Sequence, residues 1–238
     1  MRLSVSIALL TAILTVRASA EPVPLAYFYL PPYSYMQDGH PEGPAIDLAR
    51  SIAEGLNVVF RPDLVPIRRL AFEAAKSPLI IAAIMRTPER ETHYQWIGKL
   101  CTDAFVMATR ASSPAIDTLE EARKLRLIAV AAGATNETYL RERDFTNLDP
   151  AAEIQLEVRR LAEGHDDAWF APRAGALHAW KVAGYDPAQL RFGAPIVVLP
   201  VWMAASNSVA PDLVEALRTR FAEKVKDGSV AAATGCSD

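Results

Sequence analysis

The chain has 238 residues, 51% of them hydrophobic and 22% charged, with a formal net charge of −3. That composition excludes a disordered polar chain and suffices for one large core or two smaller ones. The acidic balance deepens to −5 if Arg2 and Arg17 leave with an N-terminal leader, which argues against nucleic acid as a partner.

Residues 1–20 combine Arg2, an apolar run over 3–16 and the small residues Ala18, Ser19 and Ala20. This is the pattern of a secretory signal peptide cleaved after Ala20. Arg17 keeps the apolar run shorter than a membrane-spanning helix, and the cleavage site holds no cysteine for lipidation. No second run of about 18 apolar residues follows, so a soluble periplasmic chain is expected. An exported chain whose only cysteines are Cys101 and Cys236 has the choice of one disulfide or two free thiols, and both stay open here.

After the leader, 25–30 reads as a strand that ends in Pro31, Pro32 and Tyr33. Ile46, Ala49, Ile52, Ala53 and Leu56 recur at helical spacing, with Gly55 and Asn57 closing the helix. A short strand at 58–60 leads to a second helix after Pro66, with Ile67, Leu70, Ala71, Ala74 and Ala75 on one face. The continuous apolar run 79–84 fits a strand buried on both faces, and it passes directly into Arg86, Thr87, Pro88, Glu89 and Arg90. Thr87 and Pro88 have the form of a helix start, as N-cap and first helical residue. Ligands of parallel sheets gather at the carboxyl ends of the strands, so Arg86 and Arg90 put positive charge where a small anion would arrive. The bland alternative is a solvated helix cap.

Strand and helix alternate again further on, as in α/β layers. An apolar stretch covers 101–109, a short helix lies near 119–125, and the strand 127–131 ends at Gly133. Thr135 has the chemistry to cap the helix that contains Tyr139 and Leu140. Asp149 with Pro150 reads as a further helix start, continued by Ile154, Val158, Leu161 and Ala162 and stopped by Gly164. A strand over 168–170 follows, and Pro200 interrupts the apolar run 196–205, which suits a segment passing between two lobes. The last helix opens at Pro211, turns Leu213, Leu217, Phe221 and Val225 inward, and ends at Gly228.

Five pieces occur in a telling order: Pro31-Pro32-Tyr33-Ser34-Tyr35, Thr87-Pro88-Glu89-Arg90, Gly133-Ala134-Thr135, Gly164-His165-Asp166-Asp167-Ala168, and the helix ending Lys226-Asp227-Gly228. Over 24–228 the chain thereby resembles the bacterial extracellular solute-binding proteins of family 3, which include periplasmic amino-acid-binding components of ABC importers. The resemblance implies an α/β fold of the two-lobed type II periplasmic-binding-protein kind, each lobe a mostly parallel sheet flanked by helices. Lobe one would be 21–103 plus 200–238 and lobe two 104–199, with ligand in the cleft between them. It also implies a monomer with a small-molecule ligand, no cofactor, and an inner-membrane ABC permease or a sensor protein as macromolecular partner.

In amino-acid-binding members the arginine matching Arg90 pairs with the ligand carboxylate, a role that suits a planar fork of donors. Small hydroxyl residues usually stand at the positions of Ala83 and Met85, and an acidic residue for the ligand ammonium stands where this chain has Pro172 and Arg173. With no carboxylate expected nearby, a polar or anionic, carboxylate-bearing ligand is easier to justify than a zwitterionic amino acid. Arg69, in a Pro-x-x-Arg arrangement like one in atypical branches, and Arg173 are further cleft candidates beside Arg86. Tyr29, Tyr33 and Tyr35 alternate, so an extended backbone would place them on one face as cleft walls. Thr135 is a candidate donor at a helix start.

His40, His93, His165 and His178 lack metal-ligand spacing, and no G-x-S-x-G elbow or phosphate loop occurs. Two other functions compete with solute binding. One is a dehydratase-like periplasmic enzyme of similar fold, which needs a positioned acid where this chain has Ala171, Pro172 and Arg173. The other is a degenerate member whose cleft serves protein interaction. The expectation is a non-enzyme.

Overall fold

The computed structural model describes residues 22–236, so the leader read at 1–20 lies outside the described residues. The chain begins with strand β1 (Val23–Tyr27), a small hairpin of β2 (Tyr35–Gln37) and β3 (His40–Glu42), helix α1 (Pro44–Ala53), strand β4 (Phe60–Leu64), helix α2 (Ile67–Lys76) and strand β5 (Ile80–Met85). β1 lies parallel to both β4 and β5. Every residue of β5 is buried, as expected for an apolar strand covered on both faces.

Several expected boundaries move for physical reasons. β1 stops at Tyr27, because the chain then turns back on itself through a bridge between Leu30 and Ser34. The second strand falls at Phe60–Leu64 rather than 58–60, and Pro62 is tolerated there because β4 is the outermost strand. Thr87 and Pro88 start only a single 3-10 turn, Pro88–Arg90, before the backbone re-enters the sheet at Tyr94.

Strand β6 (Tyr94–Arg110) is long because it serves two sheet regions. Next come α3 (Leu119–Ala122), β7 (Ile128–Ala131), α4 (Thr135–Arg141), β8 (Leu148–Ala151), α5 (Ile154–Glu163), β9 (Ala168–Pro172), α6 (Arg173–Val182), β10 (Leu190–Phe192) and β11 (Val197–Ser206). The chain closes with α7 (Pro211–Lys226) and α8 (Ser229–Thr234). The strand order is β4-β1-β5-β11-β6-β9-β7-β8, with β10 beside β6.

β11 runs antiparallel to β6 from Val197 to Ser206 and meets β5 only from Val201 onward. Pro200 therefore sits where β11 has no neighbour on one side, and its carbonyl accepts Arg86 N–H at 2.9 Å. The far half of β6 instead pairs β9, at Phe105–Pro172 through Ala108–Trp169. β6 and β11 thus run through both halves of the sheet, flanked by parallel β4-β1-β5 on one side and β9-β7-β8 on the other.

Asp149 and Pro150 lie in edge strand β8 rather than opening a helix, and α5 starts at Ile154. The α5 stop at Gly164 is left-handed, with φ +79°. Thr135 is the first residue of α4, which Ala134 precedes as N-cap without a side-chain cap. Val214, Leu217 and Phe221 are the buried residues of α7, whereas Val225 is exposed. That helix lies close enough to β6 that a Cβ on Gly98 would come within 2.1 Å of the Phe221 ring. Cys101 and Cys236 form a disulfide, with 5.6 Å between their Cα atoms, which ties the segment after α8 to the middle of β6.

Candidate ligand-binding cleft

A cavity of about 270 Å³ opens between the two halves at the carboxyl ends of β1 and β5 on one side and β7, β8 and β9 on the other. Its walls are mostly apolar. Phe28, Leu30, Ile67 and Met85 come from the first half, and Ala131, Ala132, Ala134, Ala151, Ala152 and Ala171 from the second. The small side chains leave room that larger ones would fill, and Trp169 forms part of the wall behind them.

Polar groups are few. Arg90 reaches the cavity from the turn after β5, and its Nη1 donates to the Met85 carbonyl at 2.9 Å. It makes no ion pair among the described residues, and burial lowers its guanidinium below the usual arginine range despite Tyr94 and Glu89 nearby. Arg68, the second residue of α2, crosses toward the opposite half: a Cβ added to Gly133 would fall 2.2 Å from Arg68 Cγ. Thr135 and half-buried Tyr29 also line the cavity. So does Asn136, whose Nδ2 donates to the Phe170 carbonyl at 2.7 Å.

Other candidate residues go elsewhere. Arg69 follows Arg68 on α2, and about 100° of helix rotation turns it away, into an ion pair with Glu73 at 2.5 Å beside a separate polar groove. Arg86 emerges on the opposite side of the strand end from Met85. There its Nε donates to Glu91 at 2.7 Å, and its guanidinium covers the rings of Trp96 and Trp202. Arg173 begins α6 facing outward over Phe192. Tyr33 is 2% exposed and donates to Asp103 at 3.4 Å, because the turn at 28–34 breaks the alternation that an extended strand would impose.

The expectation that no carboxylate stands near Pro172 and Arg173 is met by an acid elsewhere in the same cavity. Glu157 of α5 lines the cavity, is 2% exposed, and accepts a hydrogen bond from Trp169 Nε1. Ile154, Glu157, Val158 and Leu161 occupy one helical face, so the signal was present: an acid in an apolar stripe.

Contacts also cross between the halves. Asp103, in β6, accepts from Tyr33 of the first half and from the Ala174 backbone N–H of the second, and burial pushes its carboxyl above the usual range. The Tyr35 ring lies 4.6 Å from that of His178. A Cβ on Gly175, in the first turn of α6, would stand 3.0 Å from the Pro31 carbonyl oxygen.

The model of the bacterial extracellular solute-binding proteins, family 3, matches residues 28–234. The chain belongs to this family. Among solved structures, this family 3 protein is similar to a histidine kinase sensor domain with similarity to periplasmic binding proteins: TM-score 0.80, 19% identity, 91% of this chain and 95% of that one covered. A mutant of ArgBP from T. maritima matches with TM-score 0.75 and 20% identity over 88% and 92% of the two chains. An ABC uptake transporter substrate-binding protein from Streptococcus pneumoniae with bound histidine matches with TM-score 0.76 and 15% identity over 88% and 90%. No curated protein sequence matches. These likenesses give the type II periplasmic-binding-protein fold, and the family is one of binding proteins rather than enzymes.

Outside the cleft of this family 3 protein, Asp149, His165 and Asp166 bring potential metal ligands within 4.8 Å of one another. Arg160 Nη1 already stands 2.9 Å from Asp149 Oδ2 and supplies positive charge there. The cluster closes the turn before β9.

Glu157 makes stability depend on pH. Burial pushes its carboxyl from 4.5 up to about 8; Trp169 and Arg160 oppose the shift and Asp166 adds to it. The folded state then holds a proton that the unfolded chain releases above its lower pKa, so this group's contribution falls as pH rises from about 4.5 to about 8. Glu157→Gln keeps an acceptor for Trp169 and removes that loss. We expect thermal melts of the variant and the wild type to diverge with rising pH, with the variant more stable by on the order of 2 to 4 kcal/mol at the alkaline end. Parallel curves would refute the assignment.

Proposed function

We propose that this protein is an exported solute-binding protein that captures a small carboxylate-bearing ligand with a largely apolar body. Residues 21–103 plus 200–238 form lobe one and 104–199 form lobe two, and the lobes close over the ligand about β6 and β11. The observation that carries the reading is Arg90, a half-buried guanidinium without an ion-pair partner among the described residues, facing a cavity walled by alanines. Arg68 adds a second positive charge, and the first turns of α5 and α6 also line the cavity. Helix N-termini carry partial positive charge, which favours an anion.

The family supports capture of a small molecule outside the cytoplasm. Delivery of the ligand to an inner-membrane ABC permease by a monomer is the simplest use of such capture. A sensing role draws support from the likeness to a histidine kinase sensor domain. Thermal unfolding of the mature chain against short carboxylates, and against neutral and cationic analogues of equal size, tests the ligand class. A bound carboxylate raises stability by RT ln(1 + [L]/Kd), about 2.7 kcal/mol at a hundred times Kd. A shift with the neutral or cationic set alone would overturn the reading.

Closure also has a residue-level test. Gly175→Leu places a side chain against the Pro31 carbonyl, where even a Cβ stands at 3.0 Å. Leucine is the better helix former by roughly 0.5 to 1 kcal/mol, so the ligand-free chain is expected to unfold no earlier than wild type. Its ligand affinity is expected to fall about tenfold or more, because the new side chain takes up cavity space and fewer molecules reach the closed state. Small-angle scattering should then show compaction with ligand in the wild type and none in the variant. Equal compaction would contradict closure at this contact.

A further inference from the structure

Capture of a carboxylate by Arg90 leaves a buried ionisable group in the same cavity without a role. Glu157 comes from the wall opposite Arg90 and is 2% exposed. Its one hydrogen-bond donor among the described residues is Trp169 Nε1, on β9. On its own helix, Arg160 lies one turn further and is engaged with Asp149 at 2.9 Å. From the turn before β9 comes Asp166, a like charge. Across the cavity stand Arg68 and Arg90. A carboxyl so placed has capacity left for a group inside the cavity, and the space between it and Arg90 is walled by apolar and small side chains.

We propose that Glu157 determines specificity by receiving a hydrogen-bond donor on the end of the ligand remote from its carboxylate. The ligand class is then a short carboxylic acid with an aliphatic middle and a terminal hydroxyl or amino group. This rests on the carboxylate reading of Arg90 and sharpens it. A plain alkanoate would leave the buried carboxyl facing apolar atoms, and a site built to pair a polar group rejects the analogue that lacks it.

The two terminal groups use the carboxyl differently. Its proton, held up to about pH 8 in the empty cavity, stays in place against a hydroxyl, which both accepts from and donates to the acid. An ammonium favours the carboxylate and expels the proton to solvent. Amine binding near neutral pH is thus expected to release close to one proton per ligand, and hydroxyl binding none.

Isothermal titration of the mature chain with pentanoate, 5-hydroxypentanoate and 5-aminopentanoate, in two buffers of different ionisation enthalpy, reads each of these effects. The wild type is expected to bind the two substituted acids about tenfold or more tighter than pentanoate. Glu157→Leu should erase that preference, because no buried carboxyl remains for pentanoate to leave unpaired. Glu157→Gln, which keeps an acceptor for Trp169, should retain 5-hydroxypentanoate and lose the amine preference together with its proton release. Equal binding of all three by the wild type, or an unchanged preference in Glu157→Leu, overturns the proposal for Glu157 while leaving the carboxylate reading intact. Pentanoate binding that survives Arg90→Leu overturns the carboxylate reading itself, and failure of all three acids to bind overturns both. Thermal melts of each variant establish that it is folded.

Discussion

Arg90→Leu is expected to weaken carboxylate binding by roughly a hundredfold to ten-thousandfold. A guanidinium that grips a carboxylate with two charge-assisted hydrogen bonds contributes roughly 1.5 to 3 kcal/mol for each. Each 1.4 kcal/mol or so is a factor of ten in affinity. The side chain has little else to do: its one hydrogen bond among the described residues is to the Met85 carbonyl, a loss of about 1 kcal/mol. Removing an unpaired charge from a half-buried position also relieves part of a desolvation cost. The variant should therefore fold and fail to bind. Arg90→Lys keeps the charge and loses the planar fork, so an intermediate loss is expected. Arg86→Leu is the contrasting case, because that side chain is spent on Glu91, Trp96 and Trp202. Titration calorimetry should find Arg86→Leu within about twofold of wild type, and a loss equal to that of Arg90→Leu would show that the cleft is read wrongly.

Removing the disulfide should have the largest effect on stability. Cys101 and Cys236 are separated by 135 residues, and loop-closure entropy assigns a bridge of that span roughly 3 to 5 kcal/mol. For a chain of this size that corresponds to a fall of about 6 to 20 °C in melting temperature. The bridge holds the end of the chain, including α8 with its buried Val230, against β6. A Cys101→Ala, Cys236→Ala double variant should reproduce the effect of reductant on the wild type, and reductant should have no further effect on the variant. Since neither cysteine lines the cavity, ligand affinity in the folded variant should change little. An unchanged melting temperature would show that the closed loop contributes nothing to the native state.

The layers of this fold were legible wherever burial alone dictates the pattern. Leu79 to Met85 has no polar side chain and becomes a strand buried on both faces. Leu217 and Phe221 repeat at helical spacing and turn inward on α7. Pro200 fell where the outer neighbour of β11 ends. Legibility failed where tertiary context decides between local options. Asp149-Pro150 has the local chemistry of a helix start, yet β7 offers it an edge to pair with, and Asp149 is drawn to Arg160. Val225 keeps the period of α7 but is exposed, near the last turn of the helix.

The site was legible in its strand-end arginine and less so in its partners. Arg68 and Arg69 are indistinguishable by composition, and only the rotation of α2 decides that the first reaches the cleft. Arg86 and Arg90 both follow β5, yet alternation about Met85 sends Arg86 to the tryptophans. Tyr29 and Tyr33 part because the turn at 28–34 is not extended. Glu157 carried a readable mark, an acid among Ile154, Val158 and Leu161, but it stands on α5 and not after β9.

Native mass spectrometry of the protein purified without unfolding, wild type beside Arg90→Leu, bears most directly on the claim that this cleft holds a carboxylate on Arg90. The account predicts that wild type retains one small organic acid per chain, released on denaturation, and that the variant retains none. A ligand without a carboxylate, or one held equally by both proteins, would contradict it.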